Sequence, residues 1–315
     1  MRKSTTLEVN LYGGLGNQMF IYSAGLLFAN EFDLDLTINL SSIDWKHTEG
    51  KHDLRTYLDL NSVPASFQSC RPILNINNKY LSGIVDLVPR VKNWRLRQNG
   101  WIIDDGRSSG IEIIREIKKI GTKRAITEFK TTGYFQDFWY AEELTRRGID
   151  LKKVFSLEEK SQWFNEMSNK ISLRRSIGLH IRLGDFEEHN NKEKLGILSL
   201  DYYRQALAML TQHSESYKVF VFTNNEESAL RLFADFEIPD FEIIEHPDGA
   251  NPAESLLLLS YCDSVICGNS TFSYWAAMLS KSGPEVIFPK PFYRNDLHTI
   301  SNLPADWKPC KSEFI

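Results

Sequence analysis

Three polar stretches combine residue types that grip phosphate or sugar with places where backbone must approach a ligand closely. The first is Gly13-Gly-Leu-Gly-Asn-Gln-Met-Phe20. Its glycines permit close backbone approach, and Asn17 and Gln18 supply amides suited to neutral hydroxyls. A tight turn packed beneath a helix would account for the glycines alone. The stretch is not GxGxxG and no Walker lysine follows, so neither a dinucleotide site nor a P-loop gains specific support. The second is His180-Ile-Arg-Leu-Gly-Asp-Phe186, at the end of a strand whose alternation puts His180 and Arg182 on one face. A guanidinium there can fork onto a diphosphate through charge-assisted bonds of about 1.5–3 kcal/mol each, neutralising charge on a nucleotide leaving group. The competing reading is a local Arg182–Asp185 ion pair, worth little if exposed.

The third stretch, Cys267-Gly-Asn-Ser-Thr-Phe-Ser-Tyr-Trp-Ala-Ala277, runs from a strand end into a helix. Ser270 and Thr271 are N-cap types whose neighbouring N–H groups can hold an anion. Capping explains Ser270 but not the crowding of Asn269, Thr271 and Ser273; Phe272, Tyr274 and Trp275 read as core. Smaller polar stretches are Phe222-Thr-Asn-Asn-Glu226, Glu245-His-Pro-Asp248 and Gly133-Tyr-Phe-Gln136. Asp33-Leu-Asp35 sits in an expected strand and Asp104-Asp-Gly106 reads as a turn, so both are structural. His47 and His52 lack an i, i+4 partner, no HExxH or HxxxH occurs, and there is no GxSxG elbow; zinc hydrolase and serine hydrolase chemistry lack their residues.

The elements that must position these stretches follow from periodicity. Strand 7–12, the glycine turn, a helix from Gln18 to about Asn30 and a strand 33–40 open the chain. Residues 41–125 read as irregular with helices among them, and carry basic stretches at Arg90–Arg97 and Arg115–Arg124; solvated charged faces are the favoured reading, and a membrane-surface helix around Trp94 is the alternative for the first. Beyond them, strands at 176–181, 218–222, 241–245, 264–267 and 285–288 alternate with helices at 200–210, 226–233, 253–261 and 272–279. That alternation means βαβ units around a parallel sheet, with ligands outside the carboxyl ends of the strands.

At 315 residues the chain has room for two domains with a site in the cleft between them. A net charge of −4 gives no global attraction to nucleic acid, so an anionic ligand must be held by local groups. The four cysteines, Cys70, Cys262, Cys267 and Cys310, show no CxxC spacing and read as reduced structural thiols. No apolar run reaches membrane-span length and the first residues lead into a strand, so a cytoplasmic protein is expected, with peripheral membrane contact left open.

Together, GGLGNQMF, GYFQ at 133–136, HIRLGDF and GNSTFSYWAAML followed by VIFPKPFY make the chain resemble the bacterial α-1,2-fucosyltransferases, in order and across Gly13–Tyr293. The resemblance implies an α/β fold of the GT-B class, two facing Rossmann-like domains with a central cleft. Residues 1–155 would bind the acceptor, and 156–315 would bind GDP-fucose, with the extreme C-terminus returning to the N-terminal domain. It implies inverting transfer of fucose to the 2-hydroxyl of a galactose in an oligosaccharide or lipid-linked glycan, such as a surface-polysaccharide precursor. No metal or other cofactor is implied.

Arg182 matches the family's diphosphate arginine, and Arg182, Asp185 and Asn17 are the expected catalytic residues. Glu187 and Glu188 are alternatives to Asp185 as general base, and a donor phosphate oxygen is another proton acceptor. Gly14, Gly16, His180, Thr223, Asn224, Asn225, Asn269, Ser270, Thr271 and Ser273 join Arg182 on the donor; Gln18, Tyr134 and Gln136 are expected on the acceptor. The chain departs from the family's HxRRGDY at Leu183 and Phe186, and carries Asn224 and Asn225 where acidic residues are usual. Transfer of another GDP- or UDP-sugar is therefore one alternative, and a non-catalytic binding module of the same fold is another.

Overall fold

Short β-branched strands alternating with helices call for parallel sheets, and the computed structural model contains two six-stranded sheets. It describes residues 5–40, 54, 65–68, 95–96, 100–104, 109–121, 128–211, 216–234, 240–247, 250–280, 283–295 and 300–315. His47, His52, Cys70, Asp105, Gly106, Asp248 and most of the basic stretch 90–97 lie outside the described residues. The chain divides into two compact units, Met1–Ser156 and Leu157–Ile315.

The first unit contains β1 (Thr6–Asn10), α1 (Leu15–Phe32), β2 (Asp35–Asn39), β3 (Ala65–Gln68), β4 (Arg95–Leu96), β5 (Gly100–Asp104), α2 (Gly110–Gly121), β6 (Glu128–Thr132), α3 (Trp139–Arg146) and α4 (Leu151–Val154). Its sheet has the order β3-β2-β1-β6-β5-β4. Only the β4–β5 pairing is antiparallel. Helix α1 lies close on β1 because Gly25 has no Cβ; one placed there would meet Val9 Cγ2 at 2.5 Å. The helix begins three residues before the expected Gln18, since Gly14 takes the N-cap in an extended conformation. At its other end Asp33 adopts φ 51° and closes α1, so Asp33-Leu-Asp35 is a helix cap followed by a strand start rather than a strand pair. The stretch read as irregular supplies β3, β4, β5 and α2 to the described structure.

The second unit contains α5 (Gln162–Ser172), β7 (Ser176–Ile181), a 3₁₀ turn (Gly184–Glu187), α6 (His189–Lys194), α7 (Leu200–Thr211), β8 (Lys218–Thr223), α8 (Glu226–Phe233), β9 (Phe241–Ile243), α9 (Pro252–Leu259), β10 (Ser264–Ile266), α10 (Thr271–Leu279), β11 (Glu285–Lys290) and β12 (Lys308–Lys311). All its pairings are parallel, in the order β12-β11-β10-β7-β8-β9. Every residue of β7 is buried, as a central parallel strand requires. Leu179, Val219, Val221, Ile266 and Ile287 pack with Tyr202 and Tyr203 in the core beneath α7. The last residues join the second unit: β12 extends its sheet and Phe314 bridges to Leu198. Cys262, Cys267 and Cys310 are buried and unbridged, and burial pushes all three thiols up in pKa.

Candidate active site

In the second sheet the chain runs from β7 through β8 to β9 on one flank, then returns to put β10 on the other flank of β7. The order reverses between β7 and β10, and a doubly wound sheet opens a crevice there at the carboxyl ends of its strands. Two of the three stretches singled out in the sequence leave those two ends. His180 ends β7 buried to 4% exposure, with its ring stacked on Phe272 at 5.2 Å and 23°. Gly268 lies so close that a Cβ would come within 2.7 Å of the His180 carbonyl and 3.0 Å of Nδ1. His180 Nδ1 and Asn269 Oδ1 are both buried without a hydrogen-bond partner among the described residues. Such atoms are costly unless a ligand or water completes them.

Arg182 follows the strand with its side chain about one-third exposed. Its Nε donates to Asp185 Oδ1 at 2.9 Å, and its guanidinium lies 5.8 Å from the Phe186 ring centroid. The local ion pair weighed from the sequence is therefore formed. Asp185 is 46% exposed, so a solvent-screened pair holds the arginine and an incoming dianion can outcompete it. Leu183, which replaces the second arginine of the resembled motif, is buried in the apolar cluster with Ile197 and Leu198. A charge on that side chain could not occupy the same place undivided from water.

Several expected donor residues make bonds within the second unit. Ser270 caps α10, accepting from the Phe272 N–H. Ser273 is fully buried and donates to the Gly268 and Ser270 carbonyls. Asn269 spends its Nδ2 on the Leu195 and Gly196 carbonyls. Asn225 caps α8, while Thr223 Oγ1 folds the β8–α8 turn through Asn225. Thr271 is buried at 9% in the first turn of α10. Glu188 is exposed before α6 without a capping bond.

The first unit repeats the logic. β1 leads to β2 and β3 on one flank, β6 lies on the other, and the loops after β1 and β6 carry Gly13–Gln18 and Gly133–Gln136. Asn17 Oδ1 accepts from Gln136 Nε2 at 2.9 Å, joining the first turn of α1 to the loop after β6. Tyr134 is 41% exposed and packs on Tyr12 with centroids 4.9 Å apart. Tyr12 also accepts a 2.7 Å bond from the Gly133 N–H. Tyr12, read from the sequence as the end of strand 7–12, lies beyond β1, which stops at Asn10. Gly14 faces open space, so its role as a point of close approach is geometrically available. Gly16 and Gln18 are different: Gly16 is buried within α1, and Gln18 is fully buried, bonding the Gly13 carbonyl and the Leu54 N–H. Both lie inside the first unit, beneath the glycine turn.

With this geometry in place, the glycosyl transferase family 11 model matches residues 124–309. The chain belongs to that family. Over 94% of its length and 96% of the relative's, this family 11 protein is 24% identical to an alpha-1,2-colitosyltransferase of Escherichia coli. Over 108 residues, 34% of the chain and 29% of the relative, it is 30% identical to galactoside alpha-(1,2)-fucosyltransferase 1 of Leontocebus fuscicollis. The fucosyltransferase NodZ from Bradyrhizobium superposes with a TM-score of 0.52 at 15% identity, covering 88% of this chain and 93% of that one. That structural likeness supports the α/β, GT-B fold class with two Rossmann-like units. Among the described residues no group of three or more His, Cys, Asp or Glu could hold a metal ion, and no helix is long and apolar enough to cross a membrane.

Proposed function

We propose that this family 11 transferase moves L-fucose from GDP-fucose to the 2-hydroxyl of a galactose in an oligosaccharide or lipid-linked glycan. The carrying observation is Arg182 just past β7 at the β7–β10 reversal, ion-paired with an exposed Asp185 and two residues beyond His180, whose ring stacks on Phe272 of α10. The donor diphosphate takes the guanidinium from Asp185, so charge developing on departing GDP meets a preplaced cation. Asp185, released, stands at the same loop as the acceptor-side proton acceptor. Attack opposite the leaving diphosphate inverts the anomeric centre. The arginine supplies the charge stabilisation, and the reaction runs without a metal.

His180 remains neutral here, since burial first and the Arg182 charge second push its pKa down to about 3. It therefore offers hydrogen bonding, not charge, to the donor. We assign Tyr134 and Gln136 to the acceptor, with Asn17 joined to Gln136 beside them; amides and an exposed aromatic ring suit a sugar's hydroxyls and its apolar face. The reaction takes place in the cytoplasm, with any membrane contact peripheral. A colitosyl donor is the second reading, favoured by the near-complete span of the Escherichia coli relative.

GDP release should be measured with GDP-fucose and a panel of galactose-terminated acceptors, with and without EDTA. Acceptor-dependent release that EDTA leaves unchanged is expected. Turnover of GDP-colitose or a UDP-sugar in place of GDP-fucose would overturn the donor assignment.

A further inference from the structure

The loop that carries Arg182 is fastened to the next strand's loop by two side chains that chemistry would otherwise allow to read a base or take a proton. β7 and β8 stay paired through Ile181 and Thr223, after which the two chains separate. Across that gap Asn224 Oδ1 accepts from the Leu183 N–H at 2.8 Å, and its Nδ2 donates back to the Leu183 carbonyl at 3.0 Å and to Asp185 Oδ1 at 3.4 Å. Gly184 adopts φ +61° directly over this amide; a Cβ there would lie 2.8 Å from Asn224 Nδ2. Glu187 closes the other end. Its Oε2 accepts from the Gly184 N–H at 3.0 Å, from Asn225 Nδ2 at 3.1 Å and from Ser228 Oγ at 3.1 Å.

Both N–H bonds of the Asn224 amide are thereby committed inside the protein, and one Glu187 oxygen carries three donors. We propose that Asn224 and Glu187 are positioning residues that hold the Arg182–Asp185 loop in register to receive a nucleoside diphosphate, and that neither reads guanine nor acts as the general base. The proposal rests on the assignment of Arg182 to the donor diphosphate. It also accounts for asparagine at 224, because a carboxylate in its place would face Asp185 and could not donate to Leu183.

The test is calorimetric titration of GDP and UDP into Asn224→Ala, Glu187→Ala, Glu187→Gln and Arg182→Ala, alongside turnover and thermal melting. Asn224→Ala and Glu187→Ala are expected to weaken GDP and UDP by the same factor, about tenfold. Glu187→Gln keeps an oxygen that accepts the same bonds and should restore affinity and turnover to within about threefold of wild type. Loss of GDP affinity alone in Asn224→Ala would mean that it reads the base. Collapse of turnover in Glu187→Gln with GDP binding intact would make Glu187 a proton acceptor. Either result overturns the proposal, as does unchanged binding in both alanine variants while Arg182→Ala binds weakly. Should Asn224→Ala fail to fold, the two Glu187 variants decide. Unchanged GDP binding in Arg182→Ala would instead bring down the diphosphate assignment itself.

Discussion

Replacing Arg182 with alanine should cost roughly a hundred- to thousand-fold in turnover, as removal of a preplaced charge stabiliser does; steady-state kinetics with a saturating acceptor would check it. His180 makes a separate prediction about pH. In the folded protein burial, then Arg182, lowers its pKa from 6.5 to about 3, so the unfolded chain binds more protons between those values. Its contribution to stability is complete above pH 6.5 and is lost as pH falls toward 3, an effect on the order of a few kcal/mol. Unfolding free energies of wild type should therefore fall more steeply between pH 6.5 and 4 than those of His180→Asn, and parallel curves would contradict the buried neutral imidazole. The sequence showed where His180 and Arg182 fall, at the carboxyl end of the first strand of the second unit, because they interrupt an apolar run. It did not reveal that Gln18, Asn224 and Ser273 turn inward, since an amide or hydroxyl bonds backbone as readily as ligand and only geometry separates the two.

At the scale of elements, helix and strand approach depends on small residues. A Cβ on Gly178 would meet Leu259 Cδ1 at 2.4 Å and Cys262 Sγ at 2.9 Å. Gly178→Ala should thus force β7 from α9 and destabilise by about 1–3 kcal/mol, measurable by denaturant unfolding. Buried Glu254, at the start of α9, accepts from the Ser161 N–H at 2.6 Å and Ser161 Oγ at 2.8 Å, securing the N-cap of α5. Glu254→Ala should cost about 1–3 kcal/mol by orphaning those donors, and an unchanged melting temperature would refute that. The alternating second half was legible because its parallel strands are continuous apolar runs between helices of ordinary length. Strand β12 was not: Lys308-Pro-Cys-Lys311 is charged and holds a proline, which an edge strand tolerates but a sequence pattern does not announce. Helix α2 falls where helices were expected, but its bounds were not read, because its basic residues mask the periodicity of the buried Ile113, Ile114 and Ile117.

For the whole molecule, two units with different strand orders beyond their first strands each place polar loops where that order reverses, and the proposed division of labour gives each unit its own ligand. Hydrogen exchange should show GDP protecting 180–187 and 267–273, and a galactoside acceptor protecting 12–17 and 133–136; protection of both sets by GDP alone would contradict that division. With a net charge of −4, capture of an anionic donor depends on local cations rather than on the protein's overall field. The most direct measurement of the central claim is therefore titration of GDP into wild type and Arg182→Ala by calorimetry. Loss of about 2 kcal/mol, roughly thirtyfold in Kd, with an unchanged melting temperature is predicted. Equal affinities would show that the donor diphosphate does not rest on Arg182.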